Sequence, residues 1–174
     1  RAKAVNFGIV YGIGAFSLAK DIGVSNKEAK HYIESYLAHY SGVDSYMKNV
    51  VEKANADGYV ETMFGRRRNL PELTSSKHMI RAFGERVARN MPIQGTAADI
   101  IKIAMIKVDE RMKAENLRAR LVLQVHDELI VEAPQDESMR VALIVQEEME
   151  NAVKMSVPLT ADAAIGRTWY DAKG

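Results

Sequence analysis

Apolar residues recur at helical spacing through most of the chain, and short β-rich runs interrupt the pattern near 58–64 and again at 121–131. The opening run Arg1 to Gly12 reads as the middle of a helix, with no N-cap or capping box ahead of it. The chain is therefore expected to be cut from something longer. Ser25-Asn26-Lys27-Glu28 is a capping box, which predicts a helix running to about His39. A second helix is predicted from about Val43 to Ala56, ending at Asp57-Gly58. Gly58 to Phe64 reads as a short strand that turns at Gly65 into Arg66, Arg67 and Arg68, and Pro71 closes the segment. From His78 to Met91 the pattern is helical and is expected to end at Pro92. A new helix is expected to start at Gly95 or Thr96 and run to about Ala114, with Ile100, Ile103, Ala104, Ile106 and Val108 on its core face.

Leu121 to Val131 reads as a hairpin, two apolar runs with His126-Asp127-Glu128 at or near the bend. Asp136 is the expected N-cap of a helix from about Glu137 to Val153, with Glu147, Glu148 and Glu150 as a solvated acidic face. Val157 to Ile165 reads as a final strand, and Gly166 to Lys173 as a tail. The order predicts an α+β fold: a mostly helical lobe, then a small antiparallel sheet with packed helices.

Composition narrows the class. With 174 residues, 47% of them hydrophobic, the chain can bury a real core. The absence of cysteine excludes disulfides and thiolate metal sites. No apolar run approaches the length of a membrane span, so no membrane partner is expected. Residues 1–92 carry 14 Lys/Arg against 9 Asp/Glu, and residues 93–174 carry 10 against 14. A basic part followed by an acidic part suits a chain that meets phosphates with one and cations with the other.

Four groups of residues carry candidate chemistry, each with a plain structural alternative. Lys3, Phe7 and Tyr11 are spaced four apart, a cation followed by two rings on one helix face, which suits an extended nucleotide. A simple amphipathic helix with both rings in the core would show the same spacing. Arg66, Arg67 and Arg68 are either a solvated basic loop or a contact to a phosphate backbone. Arg86 and Asn90 share a face, and Gln94 follows; their donors suit the minor-groove edge of a duplex or an ordinary surface stripe. Asp127 is either a turn former or a carboxylate placed for a purpose.

Taken together these stretches closely resemble the C-terminal part of family A DNA polymerases. Lys3-x-x-x-Phe7-Gly8-x-x-Tyr11-Gly12 is similar to that family's motif B, and Gln124-Val125-His126-Asp127-Glu128 to its motif C. Gly65-Arg66-Arg67-Arg68, Glu85-Arg86 to Asn90, Gln94-Gly95-Thr96-Ala97-Ala98-Asp99-Ile100-Ile101-Lys102, and the ending Gly166-x-x-Trp169 fall between and after them in the family's order. One such motif is weak evidence; several in register are strong.

The resemblance implies a fingers part over residues 1–84 and the C-terminal half of a palm over 85–174. It implies template-directed nucleotidyl transfer from deoxynucleoside triphosphates to a primer end, in a bacterial cytoplasm, with primer–template DNA as partner. Lys3 would bind the triphosphate, Phe7 would lie against the sugar, and Tyr11 would sit beside the template base. Asp127 would be a Mg²⁺ ligand, Glu128 would stand adjacent and His126 near the primer terminus. Arg86, Asn90 and Gln94 would line the duplex track, and Arg66, Arg67 and Arg68 would be near DNA phosphates. The family's motif A, with its metal-binding aspartate, has no counterpart here. The second ligand set of the two-metal site and the N-terminal part of the polymerase are thus expected to be missing, and the chain alone to be inactive. Asp127 and Glu128, as neighbours on an extended strand, would point to opposite faces and could not readily share a metal pair.

Losing the partner strand is further expected to leave a sheet edge open to self-association. Gly84 departs from the alanine expected there and is expected to loosen its helix. Two other readings compete. A non-catalytic fragment that binds primer–template DNA uses the same donors without turnover. A metal hydrolase built on His126-Asp127 would need further ligands, and only His31, His39 and His78 remain.

Overall fold

A computed structural model describes residues 2–173, with side chains from 5 to 173. The chain forms two compact units that divide between Thr96 and Ala97.

In the first unit α1 (Ala2–Val10), α2 (Ala15–Ile22), α3 (Asn26–His39) and α4 (Ser41–Asp57) precede a hairpin of β1 (Tyr59–Glu61) and β2 (Arg67–Asn69). A 3-10 turn (Pro71–Thr74) leads into α5 (His78–Ala114), whose first half belongs to this unit. The capping box at Ser25 forms as the sequence predicts. The Ser25 hydroxyl accepts from the Glu28 N–H at 3.2 Å, and the Glu28 carboxylate accepts from the Ser25 N–H at 3.0 Å. Leu18, Ala19, Ile22 and Ala29 make one small core, with Val5, Ile13 and Ile33 around it. Ala54, Val60, Leu70, Leu73 and Ala88 make another, which seats the hairpin on α4 and α5.

Two expectations fail here for stated reasons. Pro92 does not end a helix: α5 runs unbroken for 37 residues with the proline inside it. A proline removes one ladder hydrogen bond and costs about 3 kcal/mol or more. Here the flanking turn is held from outside, because the buried Thr96 hydroxyl donates to the Pro92 carbonyl and accepts from the Met63 N–H of the hairpin turn. Gly84 does not interrupt the helix, and its missing side chain serves packing. A Cβ there would lie 3.0 Å from Glu72 Cβ and 3.0 Å from Leu73 Cδ2, so the glycine is the contact that lets α5 press against the 3-10 turn.

The second unit combines the rest of α5 with β3 (Arg120–Val125), β4 (Glu128–Glu132), α6 (Ser138–Glu150) and α7 (Trp169–Lys173). Strands β3 and β4 are antiparallel, with Val125 opposite Glu128 and an irregularity at Val122. Val108 and Met112 of α5 pack with Ala119, Val141 and Ile144, and with Leu121, Leu129 and Val131 of the sheet. Ala104, Val108 and Met112, one turn apart, form the buried stripe of this half of α5. Ile106 lies two residues from Ala104 and from Val108, which turns it to the opposite side; it is exposed, contrary to expectation.

Three more predictions in this unit are corrected. Asp136 is not the N-cap of α6; that position is Glu137, with no side-chain cap, and Asp136 pairs with Arg118 instead. Glu147 and Glu148 are not a merely solvated face. Arg111 reaches both, at 2.7 and 2.8 Å, and also Glu115 at 3.3 Å. Glu150 accepts from the Ala161 N–H at 3.1 Å. That contact tethers the stretch from 157 to 165, which is not a strand: no described residue pairs with it, and Pro158 has no N–H to give a ladder. Val122 and Leu123 of β3 are exposed, an apolar stretch on the two-stranded sheet.

Glu115 accepts from both Arg140 and Arg111, and those hydrogen bonds, Arg140 first, hold its carboxyl below the ordinary carboxylate value. A carboxylate with a lowered folded-state pKa contributes stability that is present above its unfolded value and lost as pH falls through the folded one. The second unit is therefore expected to lose stability below about pH 4.5 partly through this cluster. Melting temperatures of the chain and of Glu115→Gln should differ at neutral pH and converge in acid; a constant gap would remove Glu115 from the account.

Candidate nucleic-acid and nucleotide interface

Along the first half of α5, Arg86, Asn90 and Gln94 stand four residues apart and form a single stripe about 12 Å long. Because α5 continues through Pro92, Gln94 stays in line with the other two. The stripe borders a groove of about 410 Å³ lined by Arg68, Phe83, Arg86, Val87, Asn90, Met91, Gln94 and Gly95. Its floor is apolar and its rim carries two guanidiniums. Arg86 lies over the Phe83 ring, 5.9 Å from the centroid. The Asn90 side-chain oxygen is buried with no hydrogen-bond partner among the described residues. An unsatisfied buried acceptor of this kind costs about 1–3 kcal/mol.

The three consecutive arginines are not equivalent. Arg68 pairs across the hairpin with Val60 and lines the groove. Arg67 faces the other way: it meets Glu61 at 3.2 Å and lies over the Tyr59 ring, 4.4 Å from its centroid. Arg66 is exposed, and its N–H donates to the Thr62 hydroxyl at 3.2 Å. Strand alternation separates Arg67 from Arg68.

The hairpin is locked against α5 at one point. The buried Thr62 hydroxyl accepts from the N–H groups of Phe64 and Arg66 at 3.2 Å each. Its methyl carbon packs where Gly95 has no side chain; a Cβ at 95 would be 2.7 Å away. Sequence reading singled out neither Thr62 nor the apolar floor of Phe83, Val87 and Met91. A glycine inside the helix, between Gln94 and Thr96, is the signal that could have found the contact.

At the end of α1, Phe7 and Tyr11 stack with ring centroids 6.3 Å apart and planes 23° from parallel. Both rings are outside any core, 51% and 38% exposed respectively. Lys3 lies on the same helix by backbone, but its side chain is outside the described residues. Arg89, which sequence reading passed over, packs beneath the turn that follows and pairs with Glu85 at 3.2 Å.

In the second unit His126 and Asp127 form the two-residue turn between β3 and β4. Asp127 is thus at a turn and not on an extended strand, so strand alternation does not set its direction relative to Glu128. His126 has φ +54°, a backbone region that costs a non-glycine residue about 1–3 kcal/mol. The Gln124 amide donates to the His126 carbonyl at 2.6 Å and holds the turn. Both tip residues are exposed, and Glu128 is ion-paired with Lys173 at 3.2 Å.

A divalent ion needs several oxygen or nitrogen ligands converging on one point. Among the described residues no three His, Cys, Asp or Glu side chains do so. These residues by themselves do not fit a complete metal site, and Asp127 is a candidate for one ligand only. No described helix is long and apolar enough to cross a membrane.

A family model described as DNA polymerase family A matches residues 1–171. DNA polymerase I of Bacillus caldotenax is 55% identical over 173 residues, covering 99% of this chain and 20% of that protein. DNA polymerase I of Geobacillus stearothermophilus is 54% identical with the same coverage. The POL domain of Pol1 from M. smegmatis, solved as a complex with DNA primer–template and dNTP, superposes with a TM-score of 0.94 at 46% identity, over 99% of this chain and 30% of that one. The chain spans 20% of the length of the curated relatives it matches. It belongs to DNA polymerase family A.

Proposed function

We propose that the chain is a fingers and palm portion, residues 1–84 and 85–174, of a bacterial DNA-directed DNA polymerase acting in replication and repair. The functional division falls ahead of the break between compact units, which lies inside α5. The reaction is template-directed nucleotidyl transfer from a deoxynucleoside triphosphate to a primer 3′ end. The observation that carries the reading is the groove on α5. Two cations, Arg68 of the hairpin and Arg86, and two amides, Asn90 and Gln94, line it, in a chain whose solved relative is a complex with primer–template DNA and dNTP.

Each residue has a role its chemistry suits. Arg68 and Arg86 meet duplex phosphates, while Asn90 and Gln94 offer amide groups to the degenerate minor-groove edge. Such contacts hold DNA without reading its sequence, which leaves base choice to pairing. Phe7 lies against the sugar of the incoming nucleotide, Tyr11 stands beside the template base, and Lys3 neutralises triphosphate charge. His126 is near the primer terminus. Polymerases of this family use divalent metal ions, and Mg²⁺ would stabilise the charge that develops on the transferring phosphoryl group. Asp127 is proposed as a ligand, with the remaining ligands supplied by another part of the polymerase and Glu128 adjacent.

A second reading, a primer–template-binding portion without turnover of its own, is favoured for the isolated chain because the described residues hold no complete metal site. The 174-residue chain is expected to bind primer–template duplex with an affinity that drops about tenfold between ~50 and ~200 mM salt, for about two phosphate contacts, Arg68 and Arg86. With Mg²⁺ and deoxynucleotides it is expected not to extend the primer. Extension would overturn the second reading, and salt-insensitive or absent binding would overturn both.

A further inference from the structure

Glu128, the second carboxylate of the hairpin tip, is held by the far end of the chain. Lys173 Nζ lies 3.2 Å from one Glu128 oxygen and 3.4 Å from the other. The segment that delivers this ammonium is shaped by contacts within residues 166–173. The Asp171 carboxylate accepts from the Thr168 N–H at 3.1 Å and from its hydroxyl at 2.7 Å, while the Thr168 hydroxyl accepts from the Asp171 N–H at 3.2 Å. That reciprocal pair is a capping box for α7, with aspartate in place of the usual glutamate. Gly166 lies against the same turn: a Cβ there would come within 2.5 Å of the Ala172 nitrogen, so only glycine lets the chain pass so close. Lys173 then lies over the Trp169 ring, 5.2 Å from its centroid.

The tip itself needs holding. His126 is in a backbone region that few non-glycine residues occupy, and the turn has one internal brace, the Gln124 amide on the His126 carbonyl. Asp127 is exposed and carries no ion pair among the described residues. The two acids are neighbours in sequence, yet only one of them is taken up. Sequence reading treated the last eight residues as a tail and Glu128 as an adjunct to Asp127, so neither half of the contact was expected.

We propose that Lys173 is a positioning residue for the hairpin tip: it takes up Glu128, braces β4 at its first residue, and leaves Asp127 as the carboxylate presented to a cation. That Asp127 meets a cation in catalysis rests on the polymerase reading. That Lys173 holds the tip does not. The pair is about half exposed, so its effect is local and modest. An exposed ion pair is worth roughly 0.2–1 kcal/mol, a factor of about 1.4 to 5.

The test uses the 174-residue chain and three variants: Lys173→Met, Lys173→Arg, and Lys173→Met combined with Glu128→Gln. Amide hydrogen exchange at residues 126–128 is expected to speed up about threefold in Lys173→Met and to return to the starting rate in Lys173→Arg, with the melting temperature unchanged. Mn²⁺ alone serves as the probe of the carboxylates, read from paramagnetic broadening of the Asp127 and Glu128 amides. Freeing Glu128 puts a second anion beside the first, so Lys173→Met is expected to bind Mn²⁺ about threefold more tightly or better. The gain should vanish in the double variant. Unchanged exchange and unchanged Mn²⁺ affinity in Lys173→Met, or a gain that persists without Glu128, would overturn the proposal. Primer–template binding, measured separately, reports on the polymerase reading alone.

Discussion

Gly95→Ala is expected to destabilise the first unit and weaken duplex binding together. The new methyl group would stand 2.7 Å from the Thr62 methyl carbon. Thr62 cannot swing aside cheaply: it is buried, and its hydroxyl accepts two N–H groups of the hairpin turn. A rotation that relieves the clash strands those donors. Moving the hairpin away instead breaks the Met63 N–H bond to Thr96 and shifts Arg68 from the groove. Alanine gains about 1 kcal/mol over glycine in a helix interior. Overpacking a filled site costs about 1–3 kcal/mol, and stranded buried donors add to that, so the loss wins. Urea denaturation should report a drop in midpoint, with circular dichroism showing the helices retained below it. A stabilised Gly95→Ala variant would mean that the hairpin does not dock where these contacts put it.

The second large effect concerns Arg67 and Arg68, neighbours that ought to behave differently, together with Arg86. Arg68→Ala and Arg86→Ala should each lower duplex affinity several-fold at low salt and reduce the salt-dependence slope by about one, since each removes about one phosphate contact. The double variant should lose about tenfold or more. Arg67→Ala should change the slope little, because its guanidinium is engaged by Glu61 and the Tyr59 ring. Titration of a fluorescent primer–template at several salt concentrations separates the three. Equal slopes for Arg67→Ala and Arg68→Ala would show that the hairpin's two faces are not distinguished in binding, contrary to the strand alternation seen here.

Much of this was readable beforehand, and the parts that were not share a cause. The capping box at Ser25, the helix end at Asp57-Gly58 and the hairpin within 121–131 rest on local rules, and they stand as expected; a short strand was expected after Gly58, but not its pairing with Arg67–Asn69. The α+β architecture was legible for the same reason. Pro92 misled because a proline's cost is local while its compensation is not: the threonine on the next turn is braced by a hairpin more than thirty residues earlier in sequence. Gly84 misled in the same way, reading as a helix weakness until the atoms facing it are known, and Gly95 read as a helix start although it lies inside α5 against Thr62. The acidic run of α6 looked solvated because its partner, Arg111, lies on another helix. Val157 to Ile165 has strand composition, but a strand needs a neighbour, and composition cannot report one. The stripe of Arg86, Asn90 and Gln94 was visible from spacing alone; the apolar floor that makes it a groove was not, since Phe83, Val87 and Met91 look like any helix core.

The claim on which the rest depends is that a primer–template duplex lies along the first half of α5. The direct measurement is amide and side-chain chemical-shift mapping of the 174-residue chain titrated with duplex primer–template at low salt. The account predicts that the largest changes fall on Arg68, Arg86, Asn90 and Gln94, with the Asn90 side-chain amide among them. Changes of equal size spread over α3 and α4, with the α5 stripe silent, would contradict it.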